Sequence, residues 1–284
     1  MSHPRGEERV VSLSAGPIRL RDRGEGEPIV FVHGVLMNGD AWNPVVPLLA
    51  ERYRCLTPDW PTGGHGLPLD ARATLTIPAL ADLVVELLAA LDVRPTLVGI
   101  GLGTVLCEMV AIRSPDRVAR VVFANGDILS TFPPRWARLR FSLAYAPPLA
   151  AAAARMLQLR RVRWLAFRRF AHSVDDELWR SFTRGIARDP AIRRDTLKLM
   201  RAICRGRTET VHEALRAFRR PVLIVWGQDD RAFPPSHPRD LAGVLPGRRV
   251  ETIAGARTFL AQDQPARFAA AIADFMATTP GDAP

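Results

Sequence analysis

Three short segments of this 284-residue chain combine residue types and spacing that could do chemistry. Leu97-Val98-Gly99-Ile100-Gly101-Leu102-Gly103 leads from an apolar strand pattern into a helical one, so Gly101 falls on a sharp turn at a helix N-terminus. Backbone amides at such a terminus favour developing negative charge. Ile29-Val30-Phe31-Val32 is a buried strand running into His33-Gly34-Val35, with Asp40-Ala41-Trp42 opening the next helical pattern. Two further apolar strands end on carboxylates, at Asn125-Gly126-Asp127 and at Trp226-Gly227-Gln228-Asp229-Asp230. A carboxylate facing a pocket can act as general acid or base, helped when burial raises its pKa.

Positioning these segments requires a scaffold that gathers strand ends. Apolar runs of four to eight residues alternate with longer amphipathic stretches, the pattern of a mostly parallel sheet flanked by helices, that is, an α/β fold. Strands are expected at Val10–Leu13, Ile18–Arg21, Ile29–Val32, Cys55–Pro58, Thr96–Ile100, Val118–Ala124, Val222–Trp226 and Val250–Ile253. Helices are expected at Ala41–Glu51, Ile77–Leu91, Leu102–Arg113, Pro238–Val244 and Pro265–Ala277. Between Ala124 and Val222 lies a long stretch rich in Ala, Leu, Trp and Arg, broken at Pro133-Pro134, Pro147-Pro148 and Pro190. It reads as a helical cap, residues 131–219, inserted into a core of residues 1–130 and 220–284. There are no internal repeats, and the C-terminal TTPGDAP is expected to fray.

The formal charge of +10 invites a polyanion partner, but Lys198 is the only lysine among 39 basic residues, an arginine skew expected of GC-rich coding. The excess is concentrated between Thr131 and Arg220, where 20 arginines and one lysine face seven acids. Solvated helix faces account for this, so neither nucleic acid nor membrane is expected as a partner. The charged N-terminus and the absence of a long apolar run argue against a signal peptide or a span. Three scattered cysteines, Cys55, Cys107 and Cys204, fit a reducing, cytoplasmic setting and form no metal pattern. No metal or cofactor is expected; the partner is a small molecule, with a homodimer left open. Alternating Gly99, Gly101 and Gly103, with Cys107 and Glu108 beyond, also disfavour a dinucleotide G-x-G-x-x-G reading.

These motifs together resemble the α/β-hydrolase fold family, in its capped dehalogenase and epoxide-hydrolase-like branch, across most of the chain. The resemblance makes His33-Gly34 the HG loop, whose following residue, Val35, gives its amide to an oxyanion hole with the amide of Leu102. It makes Gly101 the nucleophile position, Asp230 the triad acid, and Thr258 in Gly255-Ala256-Arg257-Thr258-Phe259 the triad histidine position. Gly101 and Thr258 are then non-catalytic replacements. Asp127 stands where some relatives carry an alternative acid. Pro58-Asp59-Trp60 with Gly64-His65-Gly66 resembles the family's D-x-x-G-H-G turn. The binding set expected is Val35, Leu102, His33 and Trp42; the catalytic candidates are Asp127 and Asp230, with His172, His212, His237, Tyr145 and Cys107 in reserve.

Losing the nucleophile or base of such a triad costs about six orders of magnitude in turnover, so ordinary ester hydrolysis is not expected. Haloalkane chemistry would need an aspartate at position 101. The resemblance therefore implies acid–base chemistry without a covalent intermediate on a small, apolar carbonyl compound, such as cyclisation, dehydration or decarboxylation. The alternatives are an inactive ligand-binding relative and a hydrolase using an Asp-activated water.

Overall fold

The computed structural model describes residues 7–128, 132–173, 175–205 and 212–281. The cap boundary expected at residues 130/131, the last residues of the C-terminal tail and the side chain of His212 lie outside the described residues.

Eight strands form one sheet: β1 (Glu7–Leu13), β2 (Gly16–Arg23), β3 (Glu27–Val32), β4 (Tyr53–Pro58), β5 (Thr96–Gly101), β6 (Arg120–Gly126), β7 (Val222–Gly227) and β8 (Arg248–Ile253). Their spatial order is β1-β2-β4-β3-β5-β6-β7-β8. β1, β2 and β4 pair antiparallel, and every pair from β4 to β8 is parallel. The chain leaves β3 for β4 on one side and returns to β5 on the other. That reversal opens a crevice at the carboxyl ends of β3 and β5, where open α/β sheets place ligands.

The central strands are buried on both faces, which explains why they read as unbroken apolar runs. Val30 and Val32 of β3 pack into one core cluster while Ile29 and Phe31 pack into the other. The helices covering these faces include α1 (Val46–Leu49), α2 (Ile77–Ala90) and α3 (Leu102–Arg113). Between β6 and β7 come α4 (Arg135–Phe141), α5 (Pro147–Met156), α6 (Arg160–Phe167), α7 (Asp176–Arg188), α8 (Pro190–Arg205) and α9 (His212–Arg216). The chain closes with α10 (His237–Val244), α11 (Leu260–Asp263) and α12 (Pro265–Thr278). Among the described residues no helix is long and apolar enough to cross a membrane.

β1 to β4 and β8 run two or three residues beyond their expected ends, and two further differences lie next to the crevice. The helix expected over Ala41–Glu51 is a 3-10 turn at Gly39–Trp42 followed by the single turn of α1. Pro44 has no amide to give the Asp40 carbonyl, which accepts the Asn43 amide at 3.1 Å in a 3-10 step instead. The strand expected at Val118–Ala124 runs from Arg120 to Gly126, because its register is set by pairing with β5, ending at Gly101 opposite Gly126.

The helices between β6 and β7 are fastened to the loop after β4 by a buried polar contact. Asp195 of α8 is fully buried, accepts the Leu69 amide at 2.8 Å and lies 3.7 Å from the His65 imidazole. Burial alone would raise its pKa. The nearby His65 imidazole and the hydrogen bonds from the Leu69 amide and Arg194 outweigh that and hold it below the usual carboxylate value. His65 is thus a structural residue of the contact between α8 and the loop after β4.

The turn between β5 and α3 depends on small residues. Gly101 adopts φ +61°, ψ −120°, which a glycine reaches without steric cost. A Cβ there would meet only the Gly34 Cα, at 3.5 Å. At Gly103 a Cβ would stand 1.8 Å from the Val32 carbonyl oxygen, inside the backbone of β3. Urea unfolding should therefore find the alanine variant at the apex of the turn the milder of two: Gly103→Ala should cost about 3 kcal/mol or more through forced helix displacement. Gly101→Ala should cost about 1 to 2 kcal/mol of left-handed strain. Equal costs would contradict the close packing of α3 on β3.

Candidate active site

At the crevice, the loop after β3 meets the turn after β5. A Cβ on Gly34 would lie 3.3 Å from the Met37 sulfur, 3.4 Å from the Ile100 carbonyl oxygen and 3.5 Å from the Leu102 amide nitrogen, so the two backbones pass in close contact. The loop is held by Leu36, a non-glycine residue at φ +59° whose amide donates to the Thr62 carbonyl at 2.9 Å. The Thr62 hydroxyl donates to the Gly34 carbonyl at 2.8 Å. Keeping a leucine in this left-handed region costs on the order of 1 to 3 kcal/mol and persists because the surroundings over-determine it.

Gly34, Val35, Gly101 and Leu102 form the floor of a cavity of about 470 Å³. Its other walls come from the insertion, through Phe132, Phe141, Leu197 and Met200, and from the loop after β8, through Thr258 and Phe259. The lining is almost wholly apolar. Among the described residues lining it, Asp127 is the carboxylate, and Arg140 and Thr258 are the other polar side chains.

Asp127 follows β6 and is 1% exposed. Its Oδ1 accepts the Ile128 amide at 3.1 Å and lies 3.9 Å from Nδ1 of His237. His237 is itself buried, and its Nδ1 faces the Gly126 carbonyl at 3.2 Å. A carbonyl only accepts, so Nδ1 carries the proton. The imidazole thus turns a protonated edge toward the end of β6, beside the Asp127 carboxylate.

Asp230 is placed differently. Its Oδ1 accepts the Thr258 hydroxyl at 2.9 Å and the Ala232 amide at 2.7 Å, while Oδ2 accepts the Asn125 amide group. Thr258 stands between Asp230 and the cavity, and Asp230 does not line it. Asn125 also receives the Gly227 amide on its Oδ1 at 2.6 Å, tying β6 to β7. The sequence offered no sign of this bridging role, since an asparagine closing a strand carries no distinctive pattern.

Two residues expected to bind ligand do not reach the cavity. His33 is fully buried; its Nε2 accepts the Trp60 amide at 2.9 Å and its Nδ1 faces the Gly34 carbonyl at 3.1 Å. Both ring nitrogens are engaged in holding the loop. Trp42 is also fully buried and packs on Phe31 with ring centroids 4.7 Å apart, in the core on the far side of β3 from Val30 and Val32. Val35 and Leu102, by contrast, are both at the floor.

The reserve candidates are dispersed. His172 pairs with Asp229 at 2.9 Å on the surface. Tyr145 is half exposed and away from the cavity lining. Cys107 is fully buried, which pushes its thiol pKa far above the ordinary value and leaves it a packing residue. Among the described residues no group of three His, Cys, Asp or Glu side chains could hold a metal ion.

The sequence model of the α/β hydrolase fold family matches residues 27–263, which contain every segment just described. The chain belongs to the α/β hydrolase fold family. An uncharacterized protein of Mycobacterium tuberculosis is 28% identical over 273 residues, covering 92% of this chain and 78% of its own. The (E)-2-((N-methylformamido)methylene)succinate hydrolase of Acinetobacter baylyi is 32% identical over 106 residues, 37% of this chain and 40% of its own. Among solved structures, Cfl2 from Burkholderia cenocepacia superposes with a TM-score of 0.80 at 24% identity, covering 96% of this chain and 97% of its own. That last likeness is one of fold. This α/β-hydrolase-fold protein thus shares its architecture with the family over residues 27–263, and its relatives include a hydrolase.

The buried histidine of the loop after β3 gives this protein an acid sensitivity. Burial lowers the His33 pKa from 6.5 to about 4. Because the unfolded chain takes up this proton first, the contribution is fully present above about pH 6.5 and is lost as pH falls toward 4. At 1.36 kcal/mol per pKa unit it amounts to about 3 kcal/mol. Denaturant unfolding at pH 7 and pH 4.5 should show His33→Asn losing less stability on acidification than the native chain; an unchanged acid limb would contradict this placement.

Proposed function

We propose that this α/β-hydrolase-fold protein is an enzyme that works without a covalent nucleophile. It would bind a small, apolar carbonyl compound and move a proton with Asp127. The observation that carries this reading is that Asp127 is the carboxylate facing a cavity floored by Val35 and Leu102, beside a glycine on the turn. In this reading Gly101 offers no atom to attack a carbonyl, and Thr258 offers no base. The two backbone amides remain and suit the oxygen of a carbonyl or enolate in an apolar, water-poor enclosure. The helices of the insertion serve as the cap that selects the ligand.

The division of labour between the two aspartates follows from their partners. Asp230 is occupied by Thr258, Asn125 and the Ala232 amide and serves to fix the loop after β7. Asp127 is the acid or base, and His237 is a positioning residue that sets the orientation of the carboxyl group. Cyclisation, dehydration and decarboxylation of carbonyl compounds share one partial step, stabilisation of an enol or enolate, and that step can be assayed without knowing the full reaction.

The test is exchange of α-hydrogens for deuterium, followed by NMR, in a panel of 2-alkylcycloalkanones and medium-chain methyl ketones. The native protein should accelerate exchange for at least one. Asp127→Asn should lower that rate at least about a hundredfold, the typical contribution of a positioned acid or base, and Asp230→Asn should leave it within about tenfold. Thermal melts check folding. Equal rates for native and Asp127→Asn protein would remove Asp127 from the chemistry.

A further inference from the structure

The helices over the cavity carry a surface of unusual composition. From Arg135 to Arg169 the sequence holds nine arginines and no aspartate, glutamate or lysine. Arg163 is turned inward onto Asp176, whereas Arg138, Arg155, Arg160, Arg161 and Arg168 are exposed. The same stretch exposes large apolar side chains: Leu139 by 79%, Leu149 by 62%, Leu159 by 59%, Leu165 by 58%, Met156 by 53% and Trp164 by 50%. Leucines more than half exposed at this density are not explained by packing within the chain.

Helical spacing gathers these groups. Leu149 and Met156 lie two turns apart on one side of α5, and Arg160, Trp164 and Arg168 follow at four-residue intervals along α6. The Arg168 guanidinium lies 5.0 Å from the Trp164 ring centroid. Leu143, Met156 and Leu165 are exposed and also line the cavity. The apolar surface is therefore continuous with the cavity mouth.

We propose that this face of α4, α5 and α6 docks on an anionic lipid surface. The arginines would meet the headgroups while Leu149, Leu159 and Trp164 enter the boundary with the acyl chains. Surface-lying helices bind lipid through this combination, apolar side chains together with basic ones. The charge pattern excludes the nearest competitor: in a two-fold dimer the patch would face itself, arginine against arginine. Nucleic acid would neutralise the arginines but leave the leucines and Trp164 against hydrated phosphate. A bilayer satisfies both sets, and an apolar ligand dissolved in it would pass into the cavity without crossing water. This departs from the expectation that the chain has no membrane partner. It concerns attachment to a surface, not a span, and stands whether or not Asp127 proves catalytic.

Co-sedimentation of the full chain with vesicles tests it. Binding is expected to phosphatidylcholine vesicles containing phosphatidylglycerol, not to phosphatidylcholine alone, and should fall as salt screens the arginines. The double variant Arg160→Glu, Arg161→Glu should weaken partitioning at least about tenfold, since each basic residue near such a surface contributes about 1 kcal/mol. Leu159→Ser with Trp164→Ser should weaken it comparably, and the fluorescence blue shift on binding should shrink in Trp164→Phe; melts establish that each variant is folded. No binding to the anionic vesicles, or equal binding by native and charge-reversed protein, would overturn the proposal. So would a lipid-free dimer dispersed by the charge reversal.

Discussion

Everything at the candidate site hangs on the closeness of three backbone segments around the turn between β5 and α3. The first turn of α3 lies so near β3 that Gly103 cannot carry a side chain without meeting the Val32 carbonyl oxygen. On the other side, Gly126 of β6 faces the Thr104 hydroxyl and the Gly101 carbonyl, and a Cβ there would come within 2.7 Å of that carbonyl oxygen. Interiors are packed too tightly to absorb such intrusions. The turn is therefore held from below by shape, whatever residue stands at its apex, and its conformation persists with glycine there. The HG loop, pinned by Leu36 and Thr62, is brought against this turn and completes a floor made of backbone.

That floor determines where polar chemistry can occur. Around it the walls are almost wholly hydrocarbon, so in the proposed function a carbonyl oxygen would have the amides of Val35 and Leu102 as its partners there. Asp127 and Asp230 sit at the ends of neighbouring strands, yet their surroundings give them different work. Four hydrogen-bond donors, from Thr258, Ala232, Phe233 and Asn125, converge on Asp230, which suits an acid that fixes loops. Asp127, one strand nearer the turn and beside His237, is the one turned to the cavity. The proposed chemistry follows from that asymmetry, and the proposed lipid-facing surface supplies a route by which an apolar substrate could reach it.

The alternation of apolar runs and amphipathic stretches was enough to read the fold, because buried parallel strands and one-faced helices leave different periods in sequence. Leu102–Arg113 was read to the residue, since its strand, glycine turn and helix follow each other without a connecting loop. The 3-10 break after Trp42 was missed although Pro44 announces it, because the apolar residues around it keep a helical spacing. At the site, the positions of Gly101, Thr258 and Asp230 were legible through their flanking motifs. The roles of His33 and Trp42 were not, since a motif shows that a side chain is near a loop without showing on which side of the strand it packs. His237 illustrates the same limit: it is far from Asp127 in sequence and meets it only because β6 and β7 are neighbours.

The central claim is that the turn keeps the geometry of a nucleophile-bearing elbow while glycine removes its chemistry. The double variant Gly101→Ser, Thr258→His tests it most directly, with a fluorophosphonate probe followed by mass spectrometry of the labelled peptide. The native chain should remain unlabelled, and the variant should be labelled in stoichiometric amount at position 101, because Asp230 already waits within hydrogen-bond reach of position 258. Labelling of a serine in the native chain, or a folded variant that takes no label, would contradict the account.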